Sequence, residues 1–161
     1  MTEFFIQTLK SELATPKKVV IIPHKNPDGD ALGSCLGWKC FLDQMGHSCA
    51  VVSPNEYPQF LNWLPGQEDI IKYSESETFG KKLLKEADLI FTLDFNSLGR
   101  IKPMDEIIKS CDAVKVMIDH HEQPEDYADL MYSAPELGST CEMVYNIMEA
   151  LDINKINKTI A

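Results

Sequence analysis

Basic residues are scarce in this chain. Lysines and arginines number 15 against 25 aspartates and glutamates, a formal charge of −10, which excludes a broad basic face for coating nucleic acid. It does not exclude a site for a phosphate ester, because bound cations reverse the local sign. No apolar run approaches the roughly 18 to 20 residues needed to span a bilayer. Met1-Thr2-Glu3-Phe4-Phe5 lacks the basic start and long apolar stretch of a secretory signal. The five cysteines (Cys35, Cys40, Cys49, Cys111, Cys141) are scattered and include no Cys-x-x-Cys pair. That argues against structural zinc and for reduced thiols packed as small hydrophobes. There is no internal repeat and no low-complexity segment. The expectation is a soluble, cytoplasmic chain of 161 residues, long enough for one domain with its own core.

What is present alternates between two periods. Phe4, Phe5, Leu9 and Leu13 recur at helical spacing, and the segment ends near Thr15-Pro16. Lys18 to Pro23 is nearly all apolar, as a strand covered on both faces should be. Leu32, Leu36, Cys40 and Phe41 make the stripe of a second helix reaching about Met45, with Gly33 and Gly37 on a track suited to close helix-to-sheet packing. Gly46-His47 stops that helix, with His47 read as a solvated turn residue. Cys49 to Val52 is a short strand. Pro54 to Gly66 is an irregular loop with a helical turn, its Trp63 expected in buried packing. A short strand is expected within Asp69 to Tyr73, and a charged helix from Thr78 to Ala87 turns Phe79, Leu83 and Leu84 inward. Leu89 to Leu93 is a buried strand ending at Asp94. After a loop and short helix from Asn96 to about Ser110, Ala113 to Ile118 is another strand, ending at Asp119. An edge strand is expected around Asp129 to Tyr132. Ser139 and Glu142 form a capping box opening a last helix with Val144, Ile147, Met148 and Leu151 buried, and Asn154 to Ala161 reads as the start of a further helix. The alternation predicts an α/β fold with a largely parallel sheet flanked by helices.

Chemistry gathers where strands end. His24-Lys25-Asn26-Pro27-Asp28-Gly29-Asp30-Ala31-Leu32-Gly33-Ser34 follows the first strand, Asp94 ends a second, and Asp119-His120-His121 ends a third. In open α/β sheets ligands bind beyond the carboxyl ends of the strands, so three such ends bring Asp and His to one crevice. Neighbouring divalent ions need a bridging carboxylate and separate oxygen or imidazole ligands, a set suited to Mn²⁺ or Mg²⁺. His24, Asp28 and Asp30 come from one loop, Asp94 is placed to bridge, and His120 can close the second shell. Asp119 suits orienting an imidazole from behind. That leaves His121 to stabilise phosphate charge or donate a proton, and Arg100 to add a forked phosphate contact. Each piece also has a plainer reading. Asn26-Pro27 and Asp28-Gly29 are ordinary turn chemistry, Asp30 suits a helix N-cap, and a His-His pair can be incidental. Their joint occurrence favours the metal site.

These motifs, in this order and spacing across roughly residues 18 to 145, resemble the first three motifs of the DHH phosphoesterase superfamily. Asp28 to Ser34 and Gly138-Ser139-Thr140 are most similar to its RecJ-like branch of bacterial oligoribonucleases and 3′-phosphoadenosine-5′-phosphate (pAp) phosphatases. The resemblance implies two Mn²⁺ ions, or Mg²⁺ in their place. His24, Asp28 and Asp94 would hold one, and Asp30, Asp94 and His120 the other. It further implies His121 at the phosphate, and Ser139 and Thr140 at the substrate. The substrate would be short RNA, cut from an end, or pAp, in a cytoplasmic enzyme that pairs as a homodimer. Members carry a fourth motif with a further Asp ligand and a smaller C-terminal substrate-binding domain of the DHHA1 type. Neither is found by Ala161, so the expectation is a DHH-type catalytic domain over 1–161, cut short before both. Two alternatives stand beside the phosphoesterase: a pyrophosphatase-like enzyme, against which Gly29 counts, and a non-catalytic nucleotide-binding module.

Overall fold

Strand β1 (Lys18–Ile22) shows how the sequence sets the layers: Val19 and Ile21 point to one apolar core, Val20 and Ile22 to a second on the opposite face. Side chains alternate along a strand, so a continuous apolar run requires cover on both sides. The computed structural model, which describes residues 1–161, supplies it with helices α1 (Glu3–Glu12), α2 (Gly29–Gln44) and α5 (Thr140–Asp152) on one face and α3 (Glu77–Glu86) and α4 (Asp105–Ser110) on the other. Strands β2 (Ser48–Ser53), β3 (Ile71–Lys72), β4 (Leu89–Leu93), β5 (Val114–Asp119) and β6 (Leu130–Ser133) complete a six-stranded sheet in the order β3-β2-β1-β4-β5-β6. Every pairing is parallel. The strand order reverses between β1 and β4, and the crevice beyond such a switch point is the natural ligand site of an open α/β sheet.

Helix α2 is apolar on more than one side. Leu32, Cys35, Trp38, Phe41 and Leu42 are fully buried, because the helix lies between the sheet and α5. Trp38 stacks on Phe41 with ring centroids 5.6 Å apart and meets the edge of Phe91 at 5.4 Å. Gly33 permits close packing against helix α5 rather than against the sheet: a Cβ there would lie 3.2 Å from the Cys141 sulfur.

Several side chains stand elsewhere than the sequence pattern predicts. Phe4 and Phe79 are exposed, since a helix docked on a sheet buries a narrower stripe than the apolar residues offered. Trp63, expected in the core, is 74% exposed; Leu61 occupies the buried position of that loop instead. His47 is not solvated. It is 6% exposed, and its Nδ1 accepts a hydrogen bond from the Lys17 amide at 3.2 Å. Residues 153–155 form a single 3₁₀ turn, followed by a hydrogen-bonded turn around Asn157 rather than another helix. All five cysteines are free thiols, and no helix is long and apolar enough to cross a membrane.

Candidate metal centre

The loop after β1 is shaped before any ligand is considered. Asn26 takes a positive φ of 55°, a conformation asparagine tolerates better than most residues. Its amide donates to the Asn55 side-chain oxygen at 2.8 Å, while the Asn55 amide nitrogen returns a 2.8 Å bond to the Asn26 side chain. This double tie to the end of β2 aims the chain at Asp28. Asp28, not Asp30, is the N-cap of α2. Its Oδ1 accepts from the amides of Asp30 (3.0 Å) and Ala31 (3.1 Å), which leaves Oδ2 without a backbone partner.

Asp30 caps a different helix. Its Oδ2 accepts from the Thr140 amide and its Oδ1 from the Cys141 amide, both at 2.8 Å. These are the first amides of α5, where an anion meets the positive end of the helix. Ser139 caps the same helix locally, its hydroxyl accepting from the Glu142 amide at 3.1 Å. The return arm of the expected capping box lands one residue early: Glu142 accepts from Gly138.

Asp94 lies at the centre. It is 2% exposed and has a φ of 66° directly after β4. Its Oδ2 is 3.6 Å from His24 Nε2, and its Oδ1 is 3.5 Å from His120 Nε2. A single buried carboxylate thus turns one oxygen to each of two imidazoles from different strands. The Thr140 hydroxyl donates to Oδ1 at 2.9 Å. Thr140 is fully buried, so it stands behind Asp94 rather than open to a substrate.

The imidazoles are oriented in turn. His24 Nδ1 is bonded to the Lys25 carbonyl at 2.8 Å, so Nε2 faces the centre. Burial works against its charged form, but the Asp94 carboxylate and Lys25 carbonyl outweigh that and the nearby Arg100 charge, and its pKa is raised. Asp119 is fully buried and grips His121 twice, through Nδ1 at 2.7 Å and through the backbone amide at 2.9 Å. Asn96 secures the same turn by donating to the carbonyls of His121 (3.1 Å) and Glu122 (2.9 Å). Arg100 is exposed, and its carbonyl accepts from the Lys25 amide at 2.9 Å.

Two three-residue groups place one ligand atom each within 4.8 Å of the others: His24-Asp28-Asp94, and Asp94-His120-His121. Asp94 belongs to both. The first is the expected set. In the second His121 stands where Asp30 was expected, with Asp30 Oδ2 3.7 Å from His120 Nε2, because α5 holds the Asp30 carboxylate. The donors are oxygens and imidazoles, a set that fits two hard or borderline divalent cations. Cys141 is adjacent, but burial pushes its thiol pKa well up and its S–H points to the Asp30 carbonyl, which makes it no thiolate ligand.

Residues 18–161 match the DHH family, N-terminal domain. The chain belongs to the DHH family. An exopolyphosphatase-related protein from Bacteroides fragilis superposes on this DHH domain with a TM-score of 0.97 at 39% identity, covering 99% of this chain and 47% of that one. The bifunctional oligoribonuclease and PAP phosphatase NrnA of Thermus thermophilus is 28% identical over 135 residues, 84% of this chain and 37% of NrnA. RecJ of T. thermophilus in complex with Mn²⁺ shares the fold, with a TM-score of 0.51 at 16% identity over 92% of this chain and 20% of RecJ. The chain spans less than half the length of each.

Proposed function

We propose that this DHH domain carries the metal centre of a phosphoesterase that hydrolyses short oligoribonucleotides from an end, or pAp to AMP and phosphate, in a Mn²⁺-dependent reaction. The observation that carries the reading is Asp94, buried, with an imidazole facing each oxygen at 3.5 and 3.6 Å. His24, Asp28 and Asp94 would hold one cation and Asp30, Asp94 and His120 the other, leaving His121 for the phosphate. When bound, such a pair polarises the phosphoryl oxygens and supplies a nucleophile at neutral pH.

The chain's own residues do the positioning. Asp119 fixes the His121 ring through Nδ1 so that its other nitrogen is turned toward the phosphate. Thr140 fixes Asp94, and the α5 amides fix Asp30. Arg100, close enough to oppose charge on His24, adds a forked donor for a phosphate oxygen.

The test is chromatography of a diribonucleotide and of pAp incubated with Mn²⁺, with Asp94→Asn beside the parent. Mononucleotide or AMP release that falls about a thousand-fold or more in the variant is expected, since losing a shared ligand disables both sites. Undiminished release in Asp94→Asn sinks the mechanism. Saturating Mn²⁺ should also raise the melting temperature of the parent by about 5 to 10 °C through ligand linkage, and EDTA should reverse it.

A further inference from the structure

His120 and His121 begin the connection from β5 to β6, which contains no helix and no strand before Leu130. Side chains that complete a metal site must be held to within about 0.5 Å, and an irregular segment has no ladder of its own to hold them. Its order comes from hydrogen bonds to one place. From residue 121 to residue 127, every hydrogen bond that leaves the segment, apart from the two to Asp119, goes to Thr92, Asn96, Ser97 or Leu98. Those four residues flank Asp94 in the sequence.

Asn96 is the pivot of this clasp. It is buried, and its Nδ2 donates to the carbonyls of His121 (3.1 Å) and Glu122 (2.9 Å), while its own carbonyl accepts from the Glu125 amide at 2.9 Å. A side-chain amide has two N–H donors, and both are spent on this turn. Glu125 ties the far end, its carboxylate accepting from the Ser97 hydroxyl (2.7 Å) and the Leu98 amide (3.2 Å). The covalent path is short on both sides, since Asn96 is two residues from Asp94 and His121 one residue from His120. The Asn96 bonds therefore close a small ring of chain between the Asp94 carboxylate and the His120 imidazole, whose Nε2 is 3.5 Å from Asp94 Oδ1. His24, which meets the other Asp94 oxygen, comes from the loop after β1, and Asn96 makes no hydrogen bond to that loop.

Resting on the two-cation reading above, we propose that Asn96 is a positioning residue for the cation at Asp94 and His120, and has no part in holding the one at His24, Asp28 and Asp94. Without its NH₂ the carbonyls of His121 and Glu122 turn to water, and the His120–His121 turn is freed from Asp94. The entropy of ordering that turn then falls on metal binding. Asp94 itself stays fixed by the Thr140 hydroxyl, so the loss is confined to one of the two cations.

The test titrates Mn²⁺ into the chain and counts the free ion by its paramagnetic resonance signal, which gives a binding constant for each site. Asn96→Leu keeps the branched shape of the side chain and removes the donor. It should weaken one Mn²⁺ site about ten-fold and leave the other unchanged. The weakened site must be the one lost in His120→Ala, so adding Asn96→Leu to His120→Ala should leave the remaining site where it was. Asn96→Ala, which removes the donor without filling the space, should give the same split. A general loosening of the fold, followed as the melting temperature in EDTA, would not choose between the sites. Equal weakening of both sites, weakening of neither, or a parent that binds fewer than two Mn²⁺ ions overturns the proposal. The two readings fail separately. The expected split without hydrolysis of a diribonucleotide or pAp refutes the phosphoesterase and keeps the role of Asn96, whereas hydrolysis without the split refutes that role alone.

Discussion

Asp94 is held by its neighbours as firmly as by its backbone. Its Oδ1 takes the Thr140 hydroxyl at 2.9 Å in a position with no access to water. That bond restricts the carboxylate to one rotation, the one that divides its oxygens between His24 and His120. Thr140→Val keeps the shape and removes the donor. Partners of this kind, set behind a metal ligand, cost 10- to 100-fold in metal affinity or activity when mutated; we expect about a ten-fold fall in Mn²⁺-dependent turnover of a diribonucleotide with a little-changed melting temperature in EDTA. An unchanged rate would show that Asp94 is positioned by φ and packing alone. At this scale the sequence is informative about the candidate ligands, which follow strand ends and can be read locally. The resemblance puts Thr140 at the substrate, and its bond to Asp94 goes unannounced because it joins residues 46 apart; so does the Asn26–Asn55 tie, where nothing in either residue's neighbourhood announces the other.

Asp28 and Asp30 show the difference between capping one's own helix and capping another. Asp28 uses one oxygen for two amides of α2, and asparagine caps about as well as aspartate. Asp30 uses both oxygens, one for each of two amides of α5, and an asparagine would turn an NH₂ toward one of them. In EDTA, urea denaturation should show Asp28→Asn close to the parent and Asp30→Asn destabilised by about 1 to 2 kcal/mol. Equal effects would mean that the α5 cap contributes nothing. The strand–helix alternation of the sequence predicts these elements well, since the continuous apolar runs of β1 and β4 and the helical stripe of α5 are local properties. It mis-assigns Phe79 and Trp63, because periodicity records which residues are apolar and not how wide a face the neighbouring layer can cover.

Across the molecule, the buried histidine remote from the metal centre makes stability depend on pH. His47 joins α2 to β2, and its pKa is lowered, first by burial and then by the Lys17 charge. Nδ1 accepts from the Lys17 amide, so the proton of the neutral ring sits on Nε2, which has no partner. With a folded value below the unfolded one near 6.5, the unfolded chain binds the proton more readily. The contribution is therefore present above about pH 6.5 and is lost as pH falls through the folded value. His24, raised in the fold, contributes in the opposite sense, being strongest at low pH, so the His47 part is read from the difference between parent and His47→Gln. The urea midpoint of the parent should fall more steeply between pH 7.5 and 5.5 than that of the variant; parallel profiles would refute the assignment.

The amino-acid sequence by itself determined the α/β class, the layered parallel sheet and the strand-end positions of His24, Asp28, Asp94 and His120, because hydrophobic period and short-range motif are local and survive without the fold. Only the tertiary structure decided that Asp30 serves α5, that Thr140 backs Asp94, that His121 is gripped by a buried Asp119, that His47 is enclosed and that Trp63 is not. The placements of Asp30, Thr140 and Trp63 depend on which surfaces meet when α5 and the loop before β3 pack on α2 and the sheet, and such meetings are set by the burial of the whole core rather than by any residue's neighbours in sequence.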